Sequence, residues 1–162
     1  MLVLAAAAVP WMAILAWFDL RQHRLPNGLT LGGAVVILAV SIVMGQGLPA
    51  LAGGLLLGLL YLVPHVLSPR SMGGGDVKLA LGLGALAGPH GPVAWFIVAL
   101  GAPVLTILAG AAIAARERGG GAGARLGRIR LPHGPSLCGA TALALILAHG
   151  AALAQGMVPG PS

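Results

Sequence analysis

Asp19 and Asp76 are two of only three acidic residues in the 162-residue chain, and each sits at the end of an apolar stretch. The third, Glu117, lies between arginines in a basic loop. A carboxylate near lipid is costly unless it is paired, hydrated or used, so it is read as functional by default. Two of them in a chain that is 58% apolar and 7% charged point to a pair that shares a proton. Two carboxyls held close cannot both ionise easily, so one keeps its proton. The ionised one can take a proton from water while the protonated one polarises a carbonyl. That is acid–base hydrolysis of a peptide without a covalent intermediate.

Taken singly, each aspartate has a plainer reading. Asp is a favoured N-cap residue, and Asp76 stands where a helix opens. Asp19 is a helix-end carboxylate that Arg21 or Arg24 can neutralise. The run Gly73-Gly74-Gly75 shifts the weight, because three glycines let another backbone come close to Asp76. Lys78, two residues on, is either an interface anchor or a charge that biases Asp76. Other chemistries find less support. Ser68, Ser71, Ser136 and Cys138 lack the flanks of a nucleophile elbow. His23, His65, His90, His133 and His149 are scattered, with no HExxH and no i,i+4 pair, so no metal centre is expected. Residues 73–78 lack the GK[ST] ending of a phosphate-binding loop, and no cofactor is implied. His90, in Gly-Pro-His-Gly-Pro, reads as a loop residue.

The elements that must hold the pair are membrane helices. Mean hydropathy is +0.98. Six apolar stretches cover residues 2–18, 29–44, 48–67, 77–87, 93–115 and 136–154. Most approach the ~20 residues needed to span ~30 Å of hydrocarbon. The expectation is an all-α polytopic membrane protein of six transmembrane helices, with residues 1–162 forming one integral membrane domain. Segments of alternating polarity are missing, which speaks against a β-barrel. With six spans, all nine Lys and Arg residues fall on one side, and the opposite loops 45–47 and 88–92 carry none. Positive-inside bias puts that side in the cytoplasm and both termini outside. The pI near 11.5 then reflects a surface facing anionic lipid and not a nucleic-acid partner. A single cysteine excludes an internal disulfide. The first stretch lacks a basic n-region and reads as a retained span.

Segment four is short. Its dozen or so residues make roughly 18 Å of helix, well under ~30 Å. A start below the membrane surface would sink Asp76, and irregular backbone at that depth needs protein or a hydrated cavity around it. Segment three carries Gly54-xxx-Gly58, read either as a close-packing motif or as loose Gly-rich packing. The loop 116–132 is basic and Gly-rich and yields no chemistry.

Three ordered motifs carry a family resemblance. Gly73-Gly74-Gly75-Asp76-Val77-Lys78-Leu79 resembles the GxGDxKL signature of type IV prepilin peptidases. Residues 19–30, with Asp19, Arg24, Pro26, Asn27 and Thr30, look like that family's other aspartate motif. Leu131-Pro132-His133-Gly134-Pro135 resembles its PFGP-like segment, with His133 in place of the usual Phe, a change expected to touch packing. The resemblance implies a membrane aspartic peptidase of the GxGD class with Asp19 and Asp76 as its catalytic pair. Gly73, Gly74, Gly75, Lys78, Arg24, Pro26 and Asn27 are then expected to support the site. Such enzymes cut the short basic leader from prepilins or pseudopilins at the cytoplasmic face of the inner membrane. The chain lacks the Cys-rich methyltransferase insert of longer relatives and so looks like the short form of tight-adherence (Flp) pilus systems, for which the resemblance does not imply methylation. A basic enzyme face and a basic leader do not attract generally; the two aspartates can do so only locally.

Three rivals remain. A proton-coupled carrier would use both aspartates as a relay. An intramembrane protease of presenilin or signal-peptide-peptidase type would share GxGD but hold its aspartates deep in adjacent spans. An inactive assembly partner would not need the pair. The peptidase reading makes a geometric demand: helices one and four must pack as neighbours, with the aspartates on one membrane face. A helix separating those segments would sink it. In the competent state one bridging water should reach both carboxyls; without substrate they can lie apart across one hydrated cavity.

Overall fold

The computed structural model describes residues 2–22, 25–67, 73–119 and 133–156. Within them the chain is helical and has no strand. The helices are α1 (Leu2–Gln22), α2 (Asn27–Val43), α3 (Gly47–Leu67), α4 (Gly74–Ala87), α5 (Pro92–Gly119) and α6 (His133–Gly156), with a 3₁₀ turn at Gly88–His90. Four of them are long and apolar enough to cross a membrane, over Val3–Gln22, Gly47–Leu67, Pro92–Ile113 and His133–Ala151. The chain is thus a multi-pass membrane protein. The apolar α2 has 17 residues and α4 has 14, so both fall short of that length. Prolines 10, 64 and 103 lie inside helices α1, α3 and α5. Membrane helices tolerate them where neighbours re-satisfy the freed backbone.

Helix α4 is the centre of the bundle. Leu79, Ala80, Leu83, Leu86 and Ala87 are all fully buried. A helix apolar all round is a core helix, and α4 packs on α2, α3, α5 and α6. The outer helices instead leave Val35, Leu56, Leu59, Ile107 and Ile146 exposed, as lipid-facing surface requires. The closest packing is between α3 and α4. A Cβ on Gly53 would fall on the Gly84 carbonyl, and one on Gly54 would stand 2.8 Å from the Leu81 carbonyl. Gly58, the second glycine of the GxxxG pair, makes room for the Leu81 side chain. The glycines of α3 therefore serve close packing, with Gly53 added to the pair seen in the sequence.

Two helix starts differ from the sequence reading. Helix α6 opens at His133 and not near residue 136, so the His-Gly-Pro segment is its first turn. Pro suits that turn, because its missing N–H would have no intrahelical partner there. Helix α2 opens at Asn27 with Pro26 as N-cap. The Pro26 carbonyl accepts from the Leu29 and Thr30 amides and from the buried Thr30 hydroxyl.

Candidate active site

Asp19 lies in the last turn of α1 and Asp76 in the first turn of α4. Asp76 is not the N-cap; that position belongs to Gly73, in extended backbone at φ −75° and ψ 144°. The Asp76 amide donates to the Gly73 carbonyl at 3.1 Å, and the Asp76 carboxyl in turn takes a backbone hydrogen bond from Gly73. A carboxylate in a first helical turn is favoured by the helix dipole. Both aspartates are buried, with 8% and 9% of their surface exposed. They stand close enough for their charges to act on one another. The two stand at the ends of separate helices, within reach of one another's charge.

The supporting residues fall around this unit. Lys78 Nζ donates to Asn27 Oδ1 at 2.8 Å, tying the first turns of α4 and α2 together. That bond joins the two aspartate motifs, and it selects neither of the roles considered for Lys78 alone. The glycines before Asp76 are packed from two sides. A Cβ on Gly75 would meet Leu25 at 3.2 Å, and one on Gly74 would meet the His65 ring at 3.6 Å. Arg24 lies outside the described residues, as does His23. The Arg21 guanidinium lies 4.4 Å over the Trp17 ring.

Sequence reasoning missed several neighbours. The Gly134 amide donates to Asp19 Oδ2 at 3.0 Å, a hydrogen bond to a charged acceptor from the first turn of α6. The fit is tight, since a Cβ on Gly134 would stand 2.7 Å from that oxygen. Tyr61 and His65, one turn apart on α3, are both near enough to Asp76 to interact electrostatically. His133 is not a packing substitute for Phe. Its Nδ1 is 2.7 Å from Thr106 Oγ1 and its Nε2 3.4 Å from the Tyr61 hydroxyl. The signal was available: a polar group in an apolar helix must find a partner.

The demand that α1 and α4 pack as neighbours is met only in part. They share almost no close backbone contact; α1 leans on α6 and α2, and α4 on α3, α2 and α6. The correction has a cause in side-chain size. Trp11 of α1 reaches across to Gly82 of α4, where a Cβ would stand 3.1 Å from its ring. The indole thus meets α4 beside α2, since Ala34 would stand 3.4 Å from the same added Cβ. Its Nε1 donates to the Leu29 carbonyl at 2.9 Å, fixing the ring against α2. His90, expected in a loop, closes the 3₁₀ turn, and its ring packs on His149 at 5.1 Å between centroids.

The model of the type IV leader peptidase family matches residues 6–115. No curated protein and no solved structure matches the chain. The family match takes in Asp19, Asn27, Asp76 and Lys78, while α6 lies beyond it.

Proposed function

The chain belongs to the type IV leader peptidase family, and from that membership we propose a membrane aspartic endopeptidase that removes the basic leader of a prepilin or pseudopilin. The observation that carries this reading is the buried pair itself: Asp19 and Asp76, brought together from separate helix ends. In the proposed reaction the ionised aspartate takes a proton from water. The resulting hydroxide adds to the scissile carbonyl carbon, which the protonated aspartate polarises by hydrogen bonding. The tetrahedral intermediate then collapses. The C–N bond breaks, the leaving amine takes a proton from the carboxyl that gained one, and leader and mature protein separate. Gly73, Gly74 and Gly75 support the site by letting Leu25 and His65 pack close to the start of α4, and the Lys78–Asn27 bond holds the two aspartate-bearing motifs in register.

The proposed setting is the cytoplasmic face of the inner membrane, with six spans and both termini outside. The sorting of the nine Lys and Arg residues supports it. A thiol probe on single-cysteine variants at positions 46 and 122, in a Cys138→Ser background, reads the orientation. Labelling from outside is expected at 46 and absent at 122; the reverse pattern overturns it. Without the Cys-rich insert the proposed product is unmethylated, as in the short enzymes of Flp pilus systems. The activity is tested by co-expression with an Flp-type prepilin and a gel-shift readout. The wild-type chain should shorten the prepilin and Asp19→Asn should not. A prepilin left full-length by the wild-type chain, or transport of protons without any peptide, would contradict the reading.

A further inference from the structure

We infer that His133 is a positioning residue for Asp19, acting through a hydrogen-bonded chain from Tyr61 through His133 to Thr106 that fixes the first turn of α6. The inference rests on the aspartic-peptidase reading of the site.

The direction of the chain follows from counting hydrogens. Thr106 Oγ1 lies 3.0 Å from the Ala102 carbonyl and 2.7 Å from His133 Nδ1. A hydroxyl has one hydrogen, and a carbonyl can only accept. The hydroxyl hydrogen therefore goes to Ala102, and Oγ1 accepts from His133 Nδ1–H. A neutral imidazole protonated at Nδ1 carries a lone pair at Nε2. The Tyr61 hydroxyl, 3.4 Å away, donates to it. One tautomer thus satisfies the buried Tyr61 and the threonine together, and joins α3, α6 and α5.

Two members of this arrangement reach toward the aspartates. Tyr61 lies close enough to Asp76 to feel its charge. The residue after His133 is Gly134, whose amide holds Asp19 Oδ2 at 3.0 Å. Asp19 in turn acts electrostatically on the imidazole. Losing the grip of His133 frees the first turn of α6 to shift, and the amide shifts with it. Misplacement of a catalytic group by about 1 Å can cost on the order of 10²-fold in rate. Phenylalanine at position 133 would fill the space and bond neither neighbour.

The test uses the purified full-length chain with a quenched fluorescent peptide spanning a prepilin cleavage site. Rates are taken per folded enzyme, counted as the monodisperse peak on size exclusion. Thr106→Val should lower kcat about tenfold and leave KM unchanged. Thr106→Ser keeps the acceptor and should restore kcat to within about twofold of wild type. His133→Phe should lose at least as much as Thr106→Val, and combining the two should cost no more than His133→Phe alone. The inference is overturned if Thr106→Val and His133→Phe keep wild-type kcat, if Thr106→Ser is as impaired as Thr106→Val, or if the two losses multiply. A wild-type chain that cuts no prepilin peptide would overturn the peptidase reading, and this inference with it.

Discussion

At the end of the bundle that holds Asp19 and Asp76, side-chain hydrogen bonds join helices far apart in sequence. Lys78 reaches Asn27, Gly134 reaches Asp19, and His133 reaches both Tyr61 and Thr106. At the opposite end they mostly close on their own helix or turn. His90 Nδ1–H donates to the Leu86 carbonyl at 3.0 Å, and His149 Nδ1–H to the Leu145 carbonyl at 2.8 Å. The exception, Trp95 to the Gly53 carbonyl at 2.9 Å, braces the glycine contact of α3 with α4. One end places side chains relative to one another; the other holds backbones together. Substitutions at the two ends should therefore fail differently, the first in rate and the second in stability.

The sharpest break should come from Gly134→Ala. The added methyl would stand 2.7 Å from Asp19 Oδ2, so the carboxylate or the helix end must move. Cleavage per folded enzyme should fall on the order of 10²-fold; a wild-type rate would show that the amide does not hold the catalytic group. Lys78→Met comes next. It keeps the stem and removes the bond to Asn27, and the rate should fall about tenfold, with Lys78→Arg falling less. Equal losses in the two variants, measured with the same peptide, would remove the bond from the account.

Gly84→Ala tests the other half. Its Cβ would fall on the Gly53 carbonyl, forcing the central helices apart. Overpacking of this kind costs about 1–3 kcal/mol. A lower unfolding midpoint with unchanged cleavage per folded enzyme is expected; the opposite pattern would erase the distinction between the ends. The smallest effect belongs to His90. Burial holds its imidazole below the usual histidine range, His149 adds to the depression, and the Leu86 bond opposes it. Folding therefore favours the neutral ring. That contribution is complete above the unfolded value of about 6.5 and is lost as pH falls toward the depressed folded value. His90→Leu should flatten the fall in melting temperature on the acid side and leave cleavage within about twofold of wild type. An unchanged pH slope would exclude the histidine as its source.

The aspartate pair was legible because so few carboxylates occur in so apolar a chain. The shortness of α4 was legible too, since it is bounded by the glycine run and by Gly88-Pro89. The residues packed around the pair were not. Tyr61 is the chain's one tyrosine and Thr106 the one hydroxyl-bearing residue of α5, yet neither sits in a motif. Which helices face each other decides what they touch, and apolar membrane helices carry little periodicity to reveal it. The same gap explains the expectation that α1 and α4 pack as neighbours. Sequence position placed both aspartates at one end, but it did not place the Trp11 indole of α1 against Gly82 of α4. His133 was assigned to packing because Phe can occupy the position; its bonds needed α3 and α5 in place.

The central claim is that Asp19 and Asp76 act as one pair, and single-turnover cleavage by Asp19→Asn, Asp76→Asn and the double variant tests it most directly. All three should fold, with monodisperse peaks and wild-type helicity. Each single variant should lose on the order of 10³-fold or more, and the double should be no worse than either, because residues that work as a unit are non-additive. Substantial cleavage by either single variant, or losses that multiply in the double, would contradict a shared catalytic pair.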